Sequence, residues 1–352
     1  MPFKAQGNFQ KRLLTLAAFI SGIVGGKSVQ LPKIAENNVD DSKNDSREMK
    51  YRRWLNNKHI NYKDFYLPFL EILLDSFKNQ TLYIAIDGSV VGRGCMCLMV
   101  SLIYKNRALP LIWLVVKQKK GHLTEELHVE LLSSLQDILP DGCNIILLGD
   151  GEFDGIDLQA TIAGFGWEYV LRTAHNSKLY ENNELFRFNE ISASAPDNFI
   201  IIPNVEFTDN KYGPVNVIYW HEKGYQEPVY LVTNIELAEE ACLHYKKRFK
   251  IETFFSDQKS RGFHIHKSHM HKPERIFRLL IAACLAYIWI IFLGTLAIKE
   301  KWYSVIHRKS RCDLSLFSMG LRLLKHFINK ELEIDVGFYI IDYNNPFEKC
   351  VR

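Results

Sequence analysis

The chain has 352 residues, of which 47% are apolar and 24% charged, and its formal net charge is +4. These are the proportions of an ordinary folded, soluble protein with room for a sizeable core and one or two appended modules. So small a net charge excludes reading a partner from overall charge, so only local clusters of bases are informative. The seven cysteines include no CxxC pair, and Cys95-Met96-Cys97 is too tight for an ordinary zinc knuckle. They read as reduced thiols of a cytosolic protein.

Residues 1–78 read as helical. Leu13, Leu14, Leu16, Ala17, Ile20 and Val24 are expected to form one apolar face, followed by a Gly-Gly break and a short helix through Val29, Leu31 and Ile34. The run Arg12 to Gly26, behind Lys4 and Lys11, superficially resembles a signal peptide but lacks a small-x-small cleavage site. Within it, "SGIVGGKS" nearly matches a phosphate-binding P-loop. It has Ser21 where Gly is required and a helical pattern where a strand should precede, so that reading is rejected. After the polar "VDDSKNDS", Asp45 and Glu48 are spaced as a capping box for a helix carrying Arg47, Lys50, Arg52 and Arg53. Such a helix suits a DNA-reading module, and equally a helical cap with a solvated basic face.

From residue 81 the pattern becomes α/β. The strand "LYIAID" is expected to end at Asp87, and "GCMCLMVSLIY" and "ALPLIWLVV" complete an antiparallel meander. A helix over "TEELHVELLSSLQDIL", the strand "NIILLGD" ending at Asp150, a short helix and the strand "WEYVLRT" follow. Together they predict a mixed sheet flanked by helices. Residues 176–238 hold short alternating strands between Asn, Asp, Gly and Pro, a β-rich insertion. A helix from about Glu236 is then expected to run through "YKKRFKIETFFSDQK", which has five basic residues, four aromatics and two acids. The twenty uncharged residues Leu279 to Ile298 are long enough to span a membrane, but a buried core helix has the same composition and is preferred. The tail predicts a helix over "LSLFSMGLRLLKHFI" and a strand over "FYIIDY".

Asp87 and Asp150 each end an apolar strand and precede Gly, and ligand sites of open α/β sheets form at such strand ends. Asp-Gly alone is ordinary turn chemistry. Two such Asp together with Glu252 in a basic surround would stay ionised only beside cations, and hard oxygen ligands suit Mg²⁺ or Mn²⁺. In "GDGEFDG", Glu152 and Asp154 compete with Asp150, which is chosen because it directly ends the strand. Offsets of three, four and seven would place Tyr245, Arg248, Glu252 and Lys259 on one helix face. There Arg248 and Lys259 could hold phosphates, and the alternative is simple i,i+4 pairing of Arg248 with Glu252. In "FHIHKSHMHKPER", four histidines accompany Lys267, Lys272 and Arg275. No recognised zinc spacing is completed, so a DNA-facing loop is preferred to a metal cluster.

These residues carry a resemblance. Asp87 in "IDGS", Asp150 in "GDGEFDG" and Glu252 resemble the DDE triad of RNase H-like transposases. Tyr245, Arg248, Glu252 and Lys259 reproduce the Y-(2)-R-(3)-E-(6)-K signature of the insertion-sequence 4 family. The resemblance covers residues 80 to 300 well and implies an RNase H-like mixed sheet flanked by helices, with a β-rich insertion and an N-terminal helical DNA-binding module. The implied division is 1–78 (DNA-binding module), 79–175 and 239–352 (catalytic core) and 176–238 (insertion). It further implies cut-and-paste transposition of an insertion sequence in the bacterial cytoplasm, associated with the nucleoid. A homodimer on paired DNA ends would act with two Mg²⁺ ions, replaceable by Mn²⁺, held by Asp87, Asp150 and Glu252. Tyr245, Arg248 and Lys259 would bind the element's end. No membrane is implied. Relatives use an insertion-domain Trp to hold a flipped base. The comparable strand here has Tyr230, with Trp220 one strand earlier, so a hairpin step is left open. The competing expectation is an inactive DNA-binding relative acting as a repressor or inhibitor.

Overall fold

The computed structural model describes residues 6–38, 41–119, 121–191, 199–222, 226–308 and 313–343. Five short helices come first: α1 (Gly7–Gly26), α2 (Leu31–Glu36), α3 (Asn44–Asn56), α4 (Tyr62–Phe65) and α5 (Leu67–Asp75). The buried face of α1 is Leu16, Phe19, Ile20, Ile23 and Val24, whereas Leu14 is exposed, which corrects the predicted stripe by about one position. Helix α3 starts at Asn44 with no side-chain cap, so Asp45 sits in the first turn and the capping box does not form.

The apolar runs then pair as strands. β1 (Thr81–Gly92), β2 (Cys95–Tyr104) and β3 (Arg107–Val116) form the antiparallel meander, and β4 (Asn144–Gly149) and β5 (Glu168–Arg172) run parallel to β1. Parallel pairing needs crossovers, supplied by α6 (Glu125–Gln136) and α7 (Ile156–Gly164). β1 does not end at Asp87. Gly88, Ser89 and Val90 continue the ladder with β2, because β2 offers an antiparallel partner beyond the point where β4 stops.

The next segment gives β6 (Lys178–Glu181), β7 (Glu184–Arg187), α8 (Phe188–Ile191), β8 (Phe199–Phe207), β9 (Tyr212–Trp220) and β10 (Val229–Thr233). These strands continue the same sheet. Its order is β3-β2-β1-β4-β5-β10-β9-β8-β6-β7, with β10 antiparallel to β5. The result is the mixed sheet flanked by helices that the strand order predicts, lengthened at one edge.

The single helix predicted through the basic stretch is two, α9 (Ala238–Tyr245) and α10 (Lys250–Gln258). Between them Lys247, Arg248, Lys250 and Ile251 donate to carbonyls three residues back. That tighter winding rotates the chain out of α-helical phase, and neither Gly nor Pro marks it. A 3₁₀ turn (Ile265–Lys267), α11 (Pro273–Lys299), α12 (Tyr303–Ile306) and α13 (Leu316–Asn329) complete the elements. Predicted strand 338–343 is irregular instead. Its chain packs on the core through Phe338 and Ile340, with Lys105 over the Tyr343 ring.

Helix α11 is long and apolar enough to cross a membrane, yet 89% of its most apolar window is buried within the protein. It lies at the centre, contacted by α1, α3, α13 and β3. Arg278 ties the N-terminal helices to it by donating to the carbonyls of Leu55 and Ile60. α13 crosses α11 at two glycines. A Cβ on Gly294 would stand 2.2 Å from the Leu316 carbonyl oxygen, and one on Gly320 would stand 1.9 Å from that of Ile290. Backbone cannot yield as a side chain does, so Gly320→Ala is expected to cost about 3 kcal/mol or more despite alanine's better helix propensity. Chemical denaturation checks this, and a loss below about 1 kcal/mol would contradict the close crossing.

Candidate active site

The last β1–β4 pair is Ala85 with Leu148, and two further steps along both parallel strands reach Asp87 and Asp150. Asp87 on β1 and Asp150, one residue past the end of β4, are therefore about level at the ends of strands whose axes lie about 4.8 Å apart. Asp87 is half-buried and accepts from the N–H of Gly88 at 2.7 Å. Burial, and then the charge of Asp150, push its pKa up to about 7. Arg248 and the Gly88 N–H oppose that rise, and Glu252 adds to it. Asp87, Asp150, Glu252 and Arg248 thus share one electrostatic neighbourhood, although they come from three separate elements.

Asp150 opens a turn, accepting from the N–H of Glu152 at 3.1 Å through its side chain and from that of Phe153 through its carbonyl. The competing acids have other partners. Glu152 accepts from the Leu123 N–H at 2.6 Å and faces His122 and His128. Burial would raise its pKa, but these groups hold it below the ordinary value. Asp154 accepts from the Thr173 hydroxyl at 2.6 Å, while burial raises its pKa. Both acids fasten the loop to its neighbours, which leaves Asp150 as the carboxylate of this loop level with Asp87.

Glu252 projects from the first turn of α10 with its side chain 58% exposed, and pairs with Arg248 at 3.4 Å. Arg248 is buried, its guanidinium 4.6 Å from the Phe249 ring centre and 5.7 Å from that of Tyr245. The break between α9 and α10 accounts for this inward turn. It also overturns the single helix face predicted for the four signature residues. Tyr245 ends α9 fully buried, and its hydroxyl has no hydrogen-bond partner of good geometry. Burial raises the Tyr245 pKa against the pull of Arg248 and Arg172. Lys259 follows α10, and its ammonium donates to Ser89 Oγ at 2.6 Å. Burial lowers the Lys259 pKa, while Asp87 raises it. Phe254 and Phe255 anchor α10 in the core, but Phe249 is exposed and does not.

Two other bases of this stretch are committed locally: Lys246 to Glu222, and Lys247 against the Tyr83 ring. On α3, Arg47 donates to the Asn38 carbonyl and Asn44, and Arg52 pairs with Glu48. Lys50 and Arg53 are exposed. Beside Asp150 lies a cleft of about 550 Å³ lined by Arg172, His175, Glu227 and Tyr230. Tyr230 borders it from β10, whereas Trp220 is packed away at 6% exposure. Ser89 and Arg172 escaped the sequence reading. Period-two spacing on β1, which puts Ser89 on the same face as Asp87, was the signal available for the first.

A family model described as a transposase DDE domain matches residues 80–289, well over half of the chain. The chain belongs to that family. Among solved structures it is similar to a piggyBac transposase synaptic complex with hairpin DNA, at 11% identity and a TM-score of 0.48, over 94% of this chain and 73% of that one. It is also similar to the catalytic domain of human endonuclease V, at 13% identity and a TM-score of 0.30, over 55% and 81%. No curated protein matches it.

The DDE family depends on divalent metal, and the residues here fit a hard cation. The donors are carboxylate oxygens, and the pKa of Asp87, raised by burial and then by Asp150, marks a poorly solvated negative charge that a cation would offset. Among the described residues no three His, Cys, Asp or Glu side chains already stand together as a ligand set, and Glu252 is held by Arg248. The histidines of 264–271 form no metal-ligand group either. Burial and the nearby Lys267 lower the pKa values of His264 and His266.

Proposed function

We propose that this DDE-family protein is a cut-and-paste DNA transposase of the insertion-sequence 4 type, with Asp87, Asp150 and Glu252 as its metal-holding acids. The observation that carries the reading is Asp87. Its carboxyl is level with Asp150 and feels both Glu252 and Arg248, so the acids named by sequence pattern act on one point. Bound Mg²⁺ or Mn²⁺, two ions in this reading, would supply Lewis-acid stabilisation and an activated nucleophilic oxygen.

The chain's own groups provide the rest. Lys259, steadied by Ser89, presents an ammonium beside Asp87 where a phosphate would lie. Arg248 exchanges Glu252 for the element's end strand, releasing the carboxylate toward the two aspartates, with the buried Tyr245 ring packed behind Arg248. Hydrolysis at each terminal repeat then leaves a 3′-hydroxyl, which attacks target DNA and displaces the 3′-oxygen of one target strand. Lys50 and Arg53 of α3 are free to meet the repeat, and two copies would bring paired ends together. The N-terminal helices (1–78), the strands of 176–238 and the split core on either side would serve as DNA reader, insertion and catalytic unit.

A second reading, an inactive relative acting as repressor or inhibitor, draws on the pairing of Glu252 with Arg248. Incubation with a supercoiled donor plasmid carrying the element's ends separates the two. The transposase reading expects excised element and joined product in Mg²⁺. Binding of the ends with no cleavage in Mg²⁺ or Mn²⁺ would overturn it.

A further inference from the structure

Helix α3, the start of α2 and the loop before α11 meet at a second cleft, of about 480 Å³. Its walls carry Arg52 and Glu48 from one side and His269, His271 and Arg275 from the other. The loop is fixed rather than loosely apposed. Arg93 donates its backbone N–H to the Met270 carbonyl at 2.8 Å, and its guanidinium lies 3.1 Å from His269 Nδ1. Gly92 permits this contact, since a Cβ there would meet the Met270 oxygen at 2.8 Å. Lys117 donates to the His271 carbonyl at 2.8 Å, so its ammonium stands at the same rim.

The charge in this cleft is not internally balanced. Arg275 makes no ion pair among the described residues, and its Nε is buried without a hydrogen-bond partner. Burial, and then the neighbouring Arg52 guanidinium, push the Arg275 pKa below its ordinary value, with Glu274 opposing. Two guanidiniums are therefore held near each other, with Glu48 paired to Arg52 and Glu274 acting on Arg275 without an ion-pair contact, while Arg93 and Lys117 add positive charge beside them. α11 also begins here with no side-chain cap, adding the positive end of a 27-residue helix. A multivalent oxyanion relieves this arrangement, and guanidiniums favour the forked geometry of phosphate.

We propose that this cleft grips a backbone phosphate of duplex DNA and continues the DNA path beyond the active site. Arg93, which is bonded to His269 and Met270 of the cleft, lies in the β1–β2 turn six residues past Asp87. At about 3.3 Å per residue that places it roughly 20 Å from the candidate catalytic carboxylates. That is about six base pairs of duplex at 3.4 Å per step. A single bound end can occupy both places, with Arg52 exchanging Glu48 for the phosphate. The inference rests on the transposase reading and extends it to the route of the DNA.

The test measures duplex binding by fluorescence anisotropy across a range of salt, for wild type, Arg275→Gln, Arg52→Gln and the double variant. Arg275→Lys is the control that keeps the charge. Each phosphate contact contributes about −0.9 to the slope of log K against log salt. The double variant is expected to lose about one unit of slope, and Arg275→Lys to lose none. Thermal melting should be unchanged, since Arg52 is exposed and Arg275 half-buried. Wild-type slope in a double variant that melts normally would overturn the cleft while leaving donor-plasmid excision, and so the transposase reading, intact. Inorganic phosphate at millimolar level that raises wild-type melting without a change of DNA slope in the variants would assign the cleft to free phosphate instead, and also overturn it. Wild-type protein that binds no duplex would sink both readings together.

Discussion

Asp87→Asn is expected to melt above the wild type at pH 8 without metal, and to cut no DNA. The carboxyl of Asp87 titrates at about 7 in the folded chain, against about 3.9 in an unfolded one. Between those values the folded state binds more protons, so stability falls as pH rises through the window and is lowest once Asp87 is ionised in both states. A shift of about three units corresponds to about 4 kcal/mol at most, and solvent reaching a half-buried carboxyl reduces it to about 2 kcal/mol. Asn keeps the shape and removes the charge. The variant should therefore gain about 2 kcal/mol at pH 8 and little near pH 4, where Asp87 is protonated in the folded protein. Mg²⁺ should raise the melting temperature of the wild type at pH 8 and leave the variant unmoved. Strand cleavage should fall by at least about 10³-fold, equivalent to about 4 kcal/mol of lost transition-state stabilisation. Equal melting of the two proteins at pH 8 would contradict the charge crowding inferred at this site.

The second large effect is at Asp257. Helix α10 carries Glu252, and it is docked on β3 by Arg107 Nη1 donating to Asp257 Oδ2 at 3.1 Å, with side chains only 3% and 4% exposed. Burial raises the Asp257 pKa to about 6 against the opposing pull of Arg107 and Arg261. Asp257→Ala would leave the Arg107 guanidinium inside the protein without its carboxylate, at a cost of about 3–5 kcal/mol. The paired change Arg107→Met with Asp257→Leu should recover most of that, because an apolar pair avoids the desolvation of two charges. Equilibrium denaturation distinguishes these outcomes. A loss below about 1 kcal/mol in Asp257→Ala would show that the pair does not hold α10 in place.

The parts of this architecture that depend on apolar periodicity were legible in the sequence. The meander, β4, β5 and both crossover helices fall where their residue patterns put them, because each is one run of apolar residues between turn formers. Asp87 and Asp150 were legible for the same reason, although β1 runs past Asp87 to Gly92. Local pattern could not reveal that, since continuation depends on a partner strand distant in sequence. The break between α9 and α10 was not legible either. No Gly or Pro marks it, and it rests on backbone bonds to carbonyls three residues back, with Arg248 and Ile251 drawn inward. That break separates the four signature residues into a buried Tyr245 and Arg248, an exposed Glu252 and a Ser89-bound Lys259. The uncharged run of α11 was ambiguous by composition, and only its neighbours, α13 above all, identify it as core.

The proposed assignment of Asp87, Asp150 and Glu252 as the metal-holding acids is tested most directly by Mn²⁺ binding to the DNA-bound protein, followed by electron paramagnetic resonance. Wild type, Asp87→Asn, Asp150→Asn and Glu252→Gln are compared with Glu152→Gln and Asp154→Asn. The assignment predicts two bound ions in the wild type and in the last two variants, and loss of at least one ion in each of the first three. Full Mn²⁺ occupancy in Asp87→Asn and Glu252→Gln, or loss confined to Glu152→Gln or Asp154→Asn, would contradict it.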